Sequence, residues 1–155
     1  MEDEALIKKI MPHSMEAEQS VIGAMLMDPR AIEVACEILV GDDFYAKQNG
    51  LLFDVMAELH NEGKPCDPVT VIDRLKEKGA PEQMLETDFI KDVLNAVPTA
   101  ANVKYYSEIV YEKSTLRRLI RATEEISKDC YVSREPLEDI LDRTEKSIFN
   151  LIQSR

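Results

Sequence analysis

Chemistry in this chain would have to start from its glycines, histidines, cysteines, serines or paired acids, and none of them falls in a catalytic pattern. A loop that cradles phosphate needs closely spaced glycines whose amides converge, followed by lysine and a hydroxyl. Gly23, Gly41, Gly50, Gly63 and Gly79 lie far apart, and Gly63-Lys64 runs into Pro65. Cys36, Cys66 and Cys130 are odd in number and show no C-x-x-C spacing. That argues against a disulfide framework or zinc site and for a reducing, cytoplasmic setting. They are expected to be ordinary buried or half-buried small residues. His13 and His60 stand without a second histidine at ligand spacing, so structural roles are expected. Asp42/Asp43 and Glu124/Glu125 are adjacent, and adjacent residues on a helix point apart, so neither pair suits a glycosidase-like dyad. Solvated faces or a turn are expected there. The serines lack a nucleophile-elbow context. No catalytic residue, cofactor-binding residue or metal ligand is therefore expected, and no cofactor of the chain's own.

Lys113, Arg117, Arg118 and Arg121 form one basic cluster, and Lys113, Arg117 and Arg121 recur every fourth residue on a shared helix face. Two readings stand. They could pair with acids such as Glu138, Asp142 or Glu145, or they could form a docking patch for an acidic partner or passing nucleic acid, which a steep salt dependence of binding would reveal.

Charge is unevenly placed. Residues 1–98 carry 9 basic and 20 acidic side chains, whereas residues 99–155 carry 10 of each, so the net −11 of the chain resides in its first part. An acidic surface repels phosphate and is poorly suited to gripping DNA by counterion release. No apolar run reaches the roughly 18 residues of a membrane span. Residues 1–10 hold three acids and two lysines with no apolar signal core, so nothing suggests export.

The elements that would position these residues all read as helices. Residues 1–11 suggest a loosely ordered, flexible arm that Pro12 ends. Ser14 can cap a helix to about Met27 that buries Val21, Ile22, Met25 and Leu26. Asp28-Pro29 and Asp67-Pro68 are capping acids followed by proline at the first helical position. The first of these helices ends near Gly41 and the second at Gly79. Asp42-Asp43-Phe44-Tyr45 suggests a turn that drops an aromatic pair toward the core. A helix from about Ala46 to Asn61 follows, closed by Gly63. Glu86 or Thr87 opens a short one through Leu94 that Pro98 breaks. No stretch alternates with period two, so no sheet is expected.

From Thr99 a helix can continue without a breaker to about Tyr131, and Pro136 opens another to the C-terminus. The short link between them makes an antiparallel hairpin. The fold class is thus all-α, with an arm over 1–11, a helical head over 12–98 and a hairpin over 99–155. Leu137, Ile140, Leu141, Ile148, Leu151 and Ile152 form a narrow apolar stripe on the last helix, widened by Phe149. Ile109, Leu116, Leu119, Ile120 and Ile126 lie on the long one. Two helices cannot bury two such stripes against each other alone. A second hairpin from another copy, across a two-fold axis, would cover them. The other possibility is a monomer whose hairpin folds back on the head.

Two motifs resemble a known family. Pro12-His13-Ser14-Met15-Glu16-Ala17-Glu18-Gln19-Ser20-Val21-Ile22-Gly23-Ala24-Met25-Leu26 is similar to the opening P-H-x-x-E-A-E-Q-x-V-x-G-A-x-L of the DnaB-type replicative helicases. Asn95-Ala96-Val97-Pro98-Thr99-Ala100-Ala101-Asn102-Val103, with Tyr105, Tyr106, Ile109, Val110 and Lys113, resembles their head-to-hairpin junction. Asp43-Phe44-Tyr45 and Pro65-Cys66-Asp67-Pro68-Val69-Thr70-Val71 match in between. The resemblance covers residues 12 to 150.

The resemblance implies an N-terminal domain whose hairpins pair, three pairs forming a collar above a hexameric ring of RecA-like motor domains. It further implies docking of the C-terminal helicase-binding domain of primase. ATP and Mg would belong to a motor domain reached by a linker starting near Arg155, outside this chain, and DNA would be contacted mainly there. A stand-alone adaptor that occupies a helicase collar, without a motor of its own, is the alternative. A small metal- or nucleotide-dependent enzyme is a more distant one; it would be stabilised against heat by its ligand.

Overall fold

The computed structural model describes residues 2–96 and 99–153, and every regular element among them is helical. The order is α1 (Glu2–Lys8), α2 (Met15–Met27), α3 (Pro29–Ile38), α4 (Lys47–Asn61), α5 (Pro68–Glu77), α6 (Thr87–Asn95), α7 (Val103–Val132) and α8 (Leu137–Gln153). Single 3-10 turns lie at Gly41–Asp43 and Glu82–Leu85. The chain divides into two compact units, His13–Glu112 and a second made of Met1–Pro12 with Lys113–Arg155.

The capping signals in the sequence operate as helix starts. Ser14 Oγ accepts from Ala17 N at 3.2 Å. Asp28 Oδ1 accepts from Arg30 N at 2.9 Å, with Pro29 as the first helical residue. Asp67 Oδ1 accepts from Thr70 N at 2.9 Å while Thr70 Oγ1 returns a bond to Asp67 N at 3.0 Å, a reciprocal capping box. Gly63 and Gly79 follow α4 and α5 with φ of +73° and +70°, the left-handed region open to glycine at little cost.

The core of the first unit gathers Val21, Ile22 and Met25 of α2, Ile32 and Ala35 of α3, Leu52, Val55, Met56 and Leu59 of α4, Val71 and Leu75 of α5, and Ile90 of α6. Val103 and Val110 join them from the start of α7. That contribution draws the border of the unit to Glu112, inside the long helix, whereas the proline punctuation of the sequence placed it near 98. Each fully buried aliphatic side chain contributes about 1.5–3 kcal/mol, more than an exposed ion pair, so this cluster dominates the stability of the unit.

Buried polar contacts fix how the elements meet. Glu18 is buried in α2, and its carboxylate accepts from Tyr45 N at 2.8 Å, Ala46 N at 3.2 Å and Asn49 Nδ2 at 3.2 Å. These amides belong to the cap residue Ala46 and to Tyr45 before it, so a glutamate 28 residues earlier anchors the chain as it enters α4. Asp43 is likewise buried and accepts from Val40 N at 2.8 Å. His13 stacks on Tyr45, ring centroids 4.1 Å apart. Phe44 is buried against Phe53 at 5.2 Å. A Cβ on Gly50 would come 2.6 Å from Gly41 O, so the turn lies directly on the backbone of α4.

Several details differ from the sequence reading. The expected loose arm contains α1. Helix α3 ends at Ile38, before Gly41, because Gly41 opens the 3-10 turn instead. Of the aromatic pair, Phe44 enters the core while Tyr45 stays largely exposed beneath His13. Of the two outcomes expected for Asp42 and Asp43, a solvated face or a turn, the turn forms, with Asp43 buried in it. Helix α7 begins at Val103, after a turn in which Thr99 Oγ1 accepts from Ala101 N at 3.1 Å. The break assigned to Pro98 lies outside the described residues. Cys36 and Cys130 are exposed and only Cys66 is half-buried.

On the surface of α4 and α5, Arg74 grips Glu62 through Nη1 and Nη2 at 2.7 and 2.8 Å. This fork, with Lys64 beside it, lowers the Glu62 carboxyl to about 2. A depressed carboxylate pKa contributes stability that is present above the ordinary value of 4.5 and is lost as pH falls through about 2. Glu62→Gln should therefore be less stable than the parent at neutral pH, and denaturant titrations should show the gap closing between pH 4.5 and 2. For Glu18→Ala, which removes the acceptor of two part-buried amides and of the buried Asn49 side chain, a loss of about 3 kcal/mol is expected, read as a thermal midpoint lower by roughly 6–12 °C.

Candidate self-association surface

In the second unit, the later turns of α7 run antiparallel to α8. Ala122, Ile126 and Asp129 face Ser147, Thr144 and Arg143 across the hairpin. The link is short because Ser133 takes φ +47° and its amide closes on Asp129 O at 2.9 Å. Arg143 ties both arms of the turn, reaching Asp129 Oδ2 at 3.0 Å and Glu135 Oε2 at 2.6 Å. The sequence reading missed this clamp; its signal is one arginine placed to reach an acid on either side of the turn.

The apolar stripe of α8 lies open. Leu137, Leu141, Phe149 and Ile152 are exposed, by 56–69 %, and Ile148 is half-buried. Leu137, Leu141, Ile148 and Ile152 recur at steps of four, seven and four, which keeps them on one helix face. On α7, Leu116 is 39 % exposed, and Leu119, Ile120 and Ile126 are half-buried. Leu151 of α8 is also half-buried. Two members of the expected set are already occupied. Ile140 is buried within the chain. Ile109 belongs to the first unit and packs against its core, because the opening turns of α7 are part of that core.

The basic cluster is not one open patch. Arg117 is buried, and its Nη1 donates to Pro12 O at 2.8 Å. A fourth-residue spacing puts side chains on a common face but does not say whether that face is covered. Arg121 is exposed, while Lys113 and Arg118 are half-buried. Glu138, Asp142 and Glu145 are exposed on α8.

Groups able to do chemistry are otherwise engaged in structure. Cys66 Sγ contacts Met56 O at 3.5 Å. Desolvation raises the thiol of Cys66 above its ordinary value, aided by Asp67, and does the same for Cys36, aided by Asp54, which disfavours the nucleophilic thiolate. His60 Nε2 lies 3.3 Å from Glu33 Oε1. Among the described residues, no three His, Cys, Asp or Glu side chains are grouped to hold a metal ion, and no helix is long and apolar enough to cross a membrane.

Known proteins share both sequence and fold with this chain. Residues 10–112 match the family model of the DnaB-like helicase N terminal domain. The replicative DNA helicase DnaC of Bacillus subtilis (strain 168) is 40% identical over 147 residues, a match covering 95% of this chain and 32% of that protein. The replicative DNA helicase DnaB of Geobacillus stearothermophilus is 39% identical over 152 residues, covering 98% and 34%. The chain thus spans about a third of the length of these relatives. The crystal structure of the N-terminal domain of DnaB helicase from Mycobacterium tuberculosis superposes with a TM-score of 0.85 at 33% identity, over 90% of this chain and 99% of that one. The N-terminal domain of the Helicobacter pylori DnaB helicase, whose structure was described with its interactions with primase, shares the fold at a TM-score of 0.65 and 22% identity, over 75% and 90%. With its helical head and hairpin matched in sequence and in three dimensions, the chain belongs to the DnaB-like helicase N-terminal domain family.

Proposed function

We propose that this chain is the assembly and docking domain of a hexameric replicative helicase. Its hairpins pair across a two-fold axis, three pairs build a collar, and the collar receives the C-terminal helicase-binding domain of primase, so that unwinding is coupled to priming. ATP hydrolysis, with its Mg, and most contacts to DNA are assigned to sequence beyond the third of the relatives' length that this chain matches.

The observation that carries this reading is the open stripe of Leu137, Leu141, Ile148 and Ile152 on α8. Large apolar side chains aligned on one face of a well-formed helix favour burial, and an antiparallel hairpin leaves that face to another molecule. The relatives support the replication role by being replicative DNA helicases. The acidic first part of the chain supports protein docking over DNA gripping, since its field repels phosphate.

Molar mass measured over a concentration series tests the pairing: a concentration-dependent dimer or larger particle is expected, and a monomer throughout would end the proposal. Leu141→Asp places an unpaired charge in the seam, which costs about 3 kcal/mol or more, so the dissociation constant should rise on the order of 100-fold with helicity unchanged. Mixing the chain with a primase C-terminal domain should give a co-eluting complex. Failure to form one at tens of micromolar would leave the assembly role alone.

A further inference from the structure

Charge is segregated along the hairpin. Ala122 and Ile126 face Ser147 and Thr144, so a cut after Thr123 and before Lys146 crosses both helices at one level. The half that contains the bend, residues 124–145, holds 8 acidic and 3 basic side chains. The far half, residues 113–123 with 146–153, holds 5 basic side chains and no acid. The hairpin therefore carries −5 toward its bend and +5 away from it.

Most of this charge lies where another molecule can meet it. Glu124, Glu125, Glu138, Asp139, Asp142 and Glu145 are exposed in the half with the bend. In the far half Arg121 and Lys146 are exposed, and Lys113 and Arg118 are half-buried. Arg117 is spent inside the chain on Pro12 O, and Arg143 offsets Asp129 and Glu135 at the bend. The opposed signs of the two halves survive both deductions.

The apolar stripe cannot choose a direction for pairing. Leu137 and Leu141 lie in one half, Ile148 and Ile152 in the other, so a second hairpin covers the stripe running either way. Charge breaks the tie. With both bends at the same end, acidic half would lie on acidic half and basic on basic. With the bends at opposite ends, each half meets its opposite. Residues 113–123 span about 16 Å of helix at 1.5 Å per residue, longer than the screening length of about 8 Å in physiological salt. Each half thus acts on what lies beside it, and the zero sum over the hairpin is not what a neighbour feels. Such a surface is complementary to its own inverse, which a two-fold axis across the hairpin supplies.

We propose that two copies pair with their hairpins antiparallel, the bend of one beside the far end of the other, and that the segregated charge sets this direction. This rests on the pairing reading above and gives it an orientation. Apolar burial supplies the attraction, and like-charge repulsion excludes the reverse arrangement.

Sedimentation equilibrium of the whole chain and two charge variants tests the proposal, with circular dichroism as a check on folding. Lys113→Glu with Arg121→Glu lowers the positive half, and Asp142→Lys with Glu145→Lys lowers the negative one. Each pair of changes should raise the dissociation constant of the dimer about tenfold. Parallel hairpins predict the opposite sign, since either variant would then relieve repulsion and tighten the pair. Raising salt from about 0.05 to about 0.5 M should weaken the parent dimer about fivefold, whereas parallel hairpins would gain from screening. Orientation is read directly from a spin label on Arg134→Cys, with Cys36, Cys66 and Cys130 changed to Ser. Antiparallel hairpins hold the two labels about 30 Å apart, the length of residues 113–132, and parallel ones hold them within about 20 Å. A short distance, or variants that pair as well as the parent or better, overturns the orientation while leaving pairing intact. A parent chain that is monomeric at every concentration overturns both.

Discussion

The first unit depends on where a single buried carboxylate sits. Glu18 lies inside α2, yet its oxygens receive the amides at the start of α4 and the side chain of Asn49. The amides of Tyr45 and Ala46, just ahead of α4, need acceptors where the chain packs against α2, and Glu18 supplies them. The negative charge also sits at the positive end of the α4 dipole. One side chain thus solves two problems: it is hydrogen-bonded itself, and it sets the register of α2 against α4. The neighbouring contacts follow from that register. His13, just before α2, reaches Tyr45, just before α4. Phe44 is turned inward onto Phe53. The 3-10 turn is pressed onto Gly50, where any side chain would collide with Gly41 O.

The second unit is governed by the opposite condition. Its bend is held by local polar contacts, as in the clasp of Arg143 on Asp129 and Glu135, and Leu137, Leu141, Phe149 and Ile152 face outward. A helical pair this thin has two sides, and only one of them can be buried by its mate. The division of labour between a self-sufficient first unit and an open second unit is what makes a docking role physically reasonable.

Much of this was legible in the sequence because helix caps are local. Ser14, Asp28-Pro29 and Asp67-Pro68 each state a start in two residues, and Gly63 and Gly79 state the stops. The α8 stripe was legible for the same reason: its period is written within 16 residues. What escaped was set by contacts between distant residues. Nothing near Glu18 says that it will hold the chain entering a helix 28 residues later. Arg117 looked like part of a basic face, because spacing defines a face but not its covering. Ile109 matched the hairpin pattern, yet the opening turns of α7 are claimed by the core of the first unit. Asp42 and Asp43 were legible as a turn, but that Asp43 is buried in it is set by the packing around it.

The left-handed Ser133 has a consequence for motion. A non-glycine residue in that region is held there at a cost, and Tyr131 and Val132 beside it have little to pack against in this chain. The bend is secured chiefly by charged hydrogen bonds at the surface, which salt weakens. Opening should therefore begin at the bend and spread along both helices, so that amide hydrogens near it exchange soonest, and sooner as ionic strength rises. The end of the hairpin away from the bend would keep its order longest.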